Sequence, residues 1–327
     1  MKHSLLSLPT RREAVICLSA FAAYFLLVAV FMGLRPEHVG LAGLFLALFF
    51  LTGYTRRLAV CMIPFLLFGM SYDVMRLYPN YMVGKVDIVG IHEAELQWFG
   101  ISVEGMRMTL NEYFALHNAP FADFWAGIFY LLWVPAPMAF GIYCFITHRR
   151  ELFLRFAWAF LFINFLGFAG YYIHPASPPW FYAQQGGVVL DPALLGQQMG
   201  SEAGLARFDA LIGSPVFHGI YSRNANVFAA VPSLHSTYCL CAFLYAMIGR
   251  CRWYVTLPLG LLSLGICWTA VYTSHHYVID VILGVGLCIS FVFVWERCLL
   301  RWKPLKRFFQ RYTEYVEERG VHSSYFF

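Results

Sequence analysis

His276 and Asp280 stand four positions apart in the stretch Tyr272-Thr273-Ser274-His275-His276-Tyr277-Val278-Ile279-Asp280. On a helix that spacing puts both side chains on one face. A carboxylate there can hold one imidazole nitrogen and leave the other free and electron-rich. A second histidine, His235, lies in Val231-Pro232-Ser233-Leu234-His235-Ser236, at the mouth of a different apolar run. A nucleophile, its orienting acid and a second proton-handling group suit phosphoryl transfer through a phosphohistidine. An aspartate one turn inside an apolar helix costs about 2.5–3.5 kcal/mol on insertion scales and needs a partner, and His276 is the nearest.

Several neighbours are candidates for holding substrate, each with a plainer alternative. Pro232 and Ser233 are ordinary helix-start residues, but a helix N-terminus also presents unpaired N–H groups and a positive dipole end to a phosphate. Arg223, in Tyr221-Ser222-Arg223-Asn224, is either a solvated surface charge or a bidentate phosphate ligand. His275 adjoins His276 but points about 100° away if the stretch is helical. His174 opens His174-Pro175-Ala176-Ser177-Pro178-Pro179-Trp180-Phe181-Tyr182, in which Pro178, Pro179 and Trp180 make either a membrane-exit turn or a stiff platform for a sugar or cyclitol face. Arg207 and Asp209 read as a structural pair.

The elements that position these residues are membrane helices. Of 327 residues, 60% are hydrophobic and 13% charged, against about 25% charged in a soluble domain. Apolar runs near 13–33, 39–54, 58–78, 122–147, 152–173, 233–249, 253–273 and 276–298 give about eight transmembrane helices in an all-α polytopic bundle. Pro135 and Pro137 predict a kink in the fourth. In residues 79–121, Glu93, Glu95, Glu104 and Glu112 alternate with apolar side chains, as in amphipathic helices that lie on the membrane or pack against the bundle. The nine cysteines fall in or beside apolar runs, so neither a disulfide framework nor a zinc site is expected, and the acidic residues lack metal-ligand spacing. The net charge of +5 carries no nucleic-acid signal.

Charge sets the expected topology. With the N-terminus inside, 17 of the 23 Lys and Arg fall on inner segments and 6 on outer ones. The positive-inside rule then places both termini in the cytoplasm. It also brings His174, Arg223, His235, His275, His276 and Asp280 to the outer side. The lack of an Asn-x-Ser/Thr acceptor site fits a bacterial inner membrane. Three domains are expected: N-terminal helices with the amphipathic segment (1–120), a catalytic core (121–300) and a basic cytoplasmic tail (301–327).

Three blocks together resemble the type 2 phosphatidic acid phosphatase superfamily, and within it the transferase branch of inositol phosphorylceramide synthases: His174–Tyr182, Gly204–Asp209 with Val231–Ser236, and Tyr272–Asp280. The resemblance spans roughly the C-terminal half. It implies a six-helix core, with His276 as nucleophile, His235 as acid/base and Asp280 as support. Phosphatase members carry a Lys and an Arg in the first block and an Arg ahead of the nucleophile. This chain has neither, which argues against a simple phosphomonoesterase and leaves Arg223 as the replacement. The implied reaction moves phosphoinositol from phosphatidylinositol to ceramide or dihydroceramide, releases diacylglycerol and needs no cofactor. The residues themselves leave open a lipid phosphatase using water, transfer of another head group, a proton-coupled transporter and a non-catalytic scaffold.

Overall fold

The computed structural model describes residues 7–186, 195, 200–222 and 226–317. In chain order the helices are α1 (Arg11–Phe31), α2 (Pro36–Leu51), α3 (Gly53–Cys61), α4 (Ile63–Val74) and α5 (Val89–Phe99). A short hairpin follows, β1 (Ile101–Val103) with β2 (Met106–Met108). Then come α6 (Leu110–Leu116), α7 (Pro120–Leu131), α8 (Pro135–Ile146), α9 (Arg150–Ile173) and α10 (Pro179–Gln185). The last six are α11 (Ala206–Ile212), α12 (Val216–Tyr221), α13 (His235–Ile248), α14 (Trp253–Tyr272), α15 (Val278–Arg297) and α16 (Lys303–Val316).

Every expected apolar run is helical, but the runs differ in length. Among the described residues four helices are long and apolar enough to cross a membrane, and six if each bent pair is one span. One bend, of 49°, falls at Met62, just before Pro64. The other, of 48°, falls ahead of Pro135, where the proline ring cannot continue the hydrogen-bond ladder. The second and sixth runs are helices of 16 and 14 residues. At 1.5 Å per residue these reach about 24 and 21 Å, short of a ~30 Å hydrocarbon core.

The chain forms two compact units, Met1–Leu77 with Gly141–Leu161 and Leu299–Phe327, and Tyr78–Phe140 with Phe162–Cys298. The expected boundary at residue 120 therefore falls inside the second unit. In the first unit Cys17, Phe21, Ala42, Phe49 and Ala59 form a core. Phe65 packs among Phe153, Phe156 and Phe160. Arg35, His38 and Arg76 surround the Asp73 carboxylate. Here α16 is amphipathic: Phe309, Thr313 and Val316 are buried, while Lys303, Lys306, Arg307 and Arg311 are exposed.

The second unit holds every described candidate for chemistry. Its main core joins Tyr130, Leu205, Phe208, Phe217, Cys239, Ile266, Ala270 and Val281. Close backbone approach matters at one glycine: a Cβ on Gly284 of α15 would lie 2.2 Å from the Ser233 carbonyl oxygen. That contact lets α15 press against the turn that starts α13. Asp209 caps the backbone N–H groups of Phe217 and His218, both at 3.0 Å. Arg207 therefore does not pair with it; its guanidinium reaches Asp123, 2.6 Å away and 84 positions earlier. The same Asp123 oxygen accepts the Tyr272 hydroxyl at 2.8 Å.

Residues 79–121 carry both exposed apolar and buried polar side chains. Trp98, Met106, Leu116 and Phe121 are exposed apolar side chains, while Asn80, Glu95 and Asn111 are fully or almost fully buried and polar.

Candidate active site

His276 is not on a helix. It lies in the turn between α14 and α15, which closes when the His275 and His276 N–H groups both donate to the Ala270 carbonyl, at 3.0 and 2.9 Å. Ser274 adopts φ of +61° there, a left-handed conformation that a non-glycine residue holds only when its surroundings fix it. Two further backbone bonds do so: Trp180 N–H donates to the Ser274 carbonyl at 3.1 Å, and Gly204 N–H to the Thr273 carbonyl at 3.0 Å.

This turn brings the expected histidines together. His235, the first residue of α13, lies with Nδ1 3.0 Å from His276 Nε2. The far nitrogen, His276 Nδ1, is 3.0 Å from the Ala230 carbonyl oxygen and 3.5 Å from Asp280 Oδ2. A carbonyl only accepts, so Nδ1 carries the proton and Nε2 the lone pair. His235 Nδ1–H therefore donates to that lone pair. The tautomer expected from Asp280 is present, but Ala230 sets it. Asp280 Oδ2 instead accepts the Tyr277 N–H at 2.8 Å. Asp280 is 0% exposed, and its Oδ1 has no partner among the described residues. His276 is 4% exposed, and this burial drops its pKa to about 4 although the Ala230 carbonyl opposes the shift. It is a neutral imidazole at physiological pH.

Aromatic rings fix the second histidine. Tyr130 stacks on His235 with centroids 5.0 Å apart, and Trp133 meets it at 4.8 Å and 66°. His275 is brought in as well, since it shares the turn rather than a helix with His276. Its Nδ1 is 3.0 Å from Thr273 Oγ1 and its ring is 4.6 Å from that of Tyr221.

His235, His275 and His276 line one side of a cavity of about 50 Å³. Pro178 and Trp180 line it too, as the platform reading expects, with Ser201, Tyr221, Asn226 and Ala230. Three other candidates stand back from it. Pro179 is buried at the start of α10. Ser233 is buried, with its N–H on the Asp280 carbonyl at 2.9 Å and its hydroxyl without a partner among the described residues. His174 is half-exposed and pairs with Asp87 at 3.3 Å. Arg223 lies outside the described residues, between Tyr221 and Asn226. Among the described residues no three His, Cys, Asp or Glu side chains are grouped to hold a metal ion.

Sequence reasoning missed the groups that hold the turn from residues 79–121. Asn111 Nδ2 donates to the carbonyls of Val271 and His276, both at 2.9 Å. Glu95 accepts the N–H groups of Val278 and Ile279 at 3.0 and 3.1 Å. His92 stacks on Tyr182 at 3.7 Å, and its Nδ1 is 3.3 Å from the Tyr277 hydroxyl. Burial, the largest influence, raises the Glu95 pKa and lowers that of His92.

A helical membrane protein that pairs two histidines beside a buried aspartate defines a recognisable class. The chain belongs to the PAP2 superfamily, which it matches over residues 97–294. It is 46% identical over 310 residues to the phosphoinositol dihydroceramide synthase of Bacteroides thetaiotaomicron, an alignment covering 95% of this chain and 100% of that protein. It is 33% identical over 177 residues to the inositol phosphorylceramide synthase catalytic subunit of Schizosaccharomyces pombe, covering 50% of this chain and 39% of that one. A third relative, the inositol phosphorylceramide synthase of Candida albicans, is 33% identical over 41% of this chain and 27% of its own length. No solved structure matches the chain.

Proposed function

We propose that the protein is a phosphoinositol transferase acting from phosphatidylinositol to ceramide or dihydroceramide. The observation that carries the chemistry is the 3.0 Å His235–His276 contact with the proton of His276 held on its far nitrogen. Full-length similarity to a phosphoinositol dihydroceramide synthase supports the choice of lipids.

In the first half, phosphorus displaces the His235 proton from the His276 lone pair. His276 Nε2 bonds to phosphorus, the bond from phosphorus to the diacylglycerol oxygen breaks, and that oxygen takes a proton from His235, which enters the cycle as the imidazolium and is left neutral. In the second half, neutral His235 removes the proton from the sphingolipid's primary hydroxyl. The new alkoxide attacks phosphorus, the P–N bond breaks, and His276 returns to its starting state. Splitting the transfer into two displacements lowers each barrier. Asp280 and the Ala230 carbonyl stabilise the positive charge that develops on His276. His275, Pro178, Trp180 and Tyr221 face the head group, and Arg223 is the candidate guanidinium for the phosphodiester. His174, Pro179 and Ser233 support these walls. Water must be kept from the phosphohistidine for transfer to outrun hydrolysis.

The same reading takes the eight apolar runs as crossings, with both termini in the cytoplasm of a bacterial cell and the histidines at the outer leaflet of its inner membrane. The excess of Lys and Arg on the inner segments supports it.

Purified protein given inositol-labelled phosphatidylinositol and dihydroceramide tests the reading. Labelled phosphoinositol dihydroceramide with equimolar diacylglycerol is expected. Free inositol phosphate without the labelled sphingolipid would instead establish a hydrolase.

A further inference from the structure

The histidine turn leads directly into α15, whose N-terminal N–H groups need acceptors. Tyr277, at the N-cap, supplies no side-chain acceptor to them, and the short polar side chains that ordinarily do this work are absent. Asp280 turns back to the Tyr277 N–H. The next two donors, Val278 and Ile279, are taken by Glu95, one on each carboxylate oxygen, from a helix 183 and 184 positions earlier. Glu95 is 0% exposed. Asn111 holds the other end of the turn through the carbonyls of Val271 and His276. The matched region begins at residue 97, two positions beyond Glu95.

From this geometry we propose that Glu95 is a positioning residue for the transfer, clamping the first turn of α15 so that His276 stays in line with His235. The inference rests on the transferase reading above. Glu95 touches no reacting atom; it acts through the backbone of residues 277–279, which adjoin His276 on one side and Asp280 on the other. A bidentate acceptor is required, because two parallel N–H groups face it. Glutamine fails that requirement: one end of its amide is an NH2 that meets an N–H donor to donor. Aspartate keeps both acceptor oxygens on a shorter stem.

The experiment compares Glu95→Gln, Glu95→Asp and, as a surface control on the same helix, Glu93→Gln. Each is purified in lipid nanodiscs and assayed with labelled phosphatidylinositol and dihydroceramide. Misplacing a reacting group by about 1 Å can cost on the order of 100-fold in rate. Glu95→Gln is expected to lower kcat about 10- to 100-fold with KM changed less than about threefold. Glu95→Asp should recover part of that loss, and Glu93→Gln should match the wild type. Hydrogen exchange read by mass spectrometry on residues 275–281 gives a second readout independent of turnover. The Val278 and Ile279 amides should exchange faster in Glu95→Gln, with α13 and α14 protected as before. Unchanged exchange at 278 and 279, or a wild-type kcat in Glu95→Gln, would overturn the clamp. Wild-type protein that makes no labelled sphingolipid, with those amides still released by Glu95→Gln, would sink the transferase reading and leave the clamp standing.

Discussion

Two clusters of charged and titratable side chains, one in each compact unit, differ in how completely they are answered. In the first unit Asp73 accepts from Arg35, from His38 at 2.8 Å and from Arg76 at 3.0 Å. Its carboxylate is surrounded. In the second unit His235, His276 and Asp280 have their orienting contacts but keep capacity in reserve: Asp280 Oδ1 and Ser233 Oγ are buried without partners among the described residues. The first cluster closes on its carboxylate, with Arg35 Nε left buried and without a partner among the described residues. A cluster built to meet a ligand leaves buried polar groups open, and those groups are costly until the ligand arrives.

Substitutions in the two clusters should therefore separate activity from stability. The largest effect is expected at the nucleophile. His276→Ala should abolish transfer, by about 10⁴-fold or more, with little change in folded yield. His235→Ala should cost about 10²–10⁴-fold in the same assay. Product formation by His276→Ala within tenfold of wild type would remove the distinction between the clusters. Asp280→Asn should cost less, about 10–100-fold in kcat, because the Ala230 carbonyl still holds the Nδ1 proton and only the stabilising charge is lost. A drop as deep as that of His276→Ala would return the tautomer to Asp280's control.

Acidity should separate the two clusters further. Attack needs neutral His276, whose pKa burial holds at about 4. The acid limb of phosphoenzyme formation should therefore lie near pH 4, well below the ~6.5 of a free imidazole. Between those values the unfolded chain takes up a proton at this position that the folded chain refuses. His276 thus makes stability fall as pH drops from about 6.5 to 4 and stops contributing below that. An acid limb at 6.5 would mean that burial does not set the protonation of His276. The smallest effect on turnover belongs to the closed cluster. Asp73→Asn should lower Tm by several degrees, since it leaves two guanidinium groups facing each other, yet keep kcat per folded molecule within about twofold.

Much of this was legible in the sequence because it is local. Apolar runs of helical length mark the helices, Pro135 marks a bend, and residue type singles out His235, His276 and Asp280, which the fold brings close together. What the sequence concealed depends on contacts between distant segments or on backbone atoms. The acceptor that fixes the His276 tautomer is the Ala230 carbonyl, which no side-chain pattern announces. Glu95 reads as one of several acids on an amphipathic stretch, and nothing within a few residues shows that it is buried against Val278 and Ile279. Proximity misleads for Arg207 and Asp209: two positions apart, they serve different partners. The helical reading of residues 272–280 fails because Ser274 reverses the chain, and that reversal points both His275 and His276 at the cavity.

In the proposed mechanism His276 Nε2 carries the phosphoinositol between donor and acceptor. The most direct test is to incubate the wild-type protein with inositol-labelled phosphatidylinositol and no sphingolipid, quench in base, and map the label by mass spectrometry. An acid-labile phosphoinositol adduct is expected on the peptide containing His276, discharged when dihydroceramide is added. Steady formation of labelled phosphoinositol dihydroceramide with no adduct on His276, or with the adduct on His235, would contradict it.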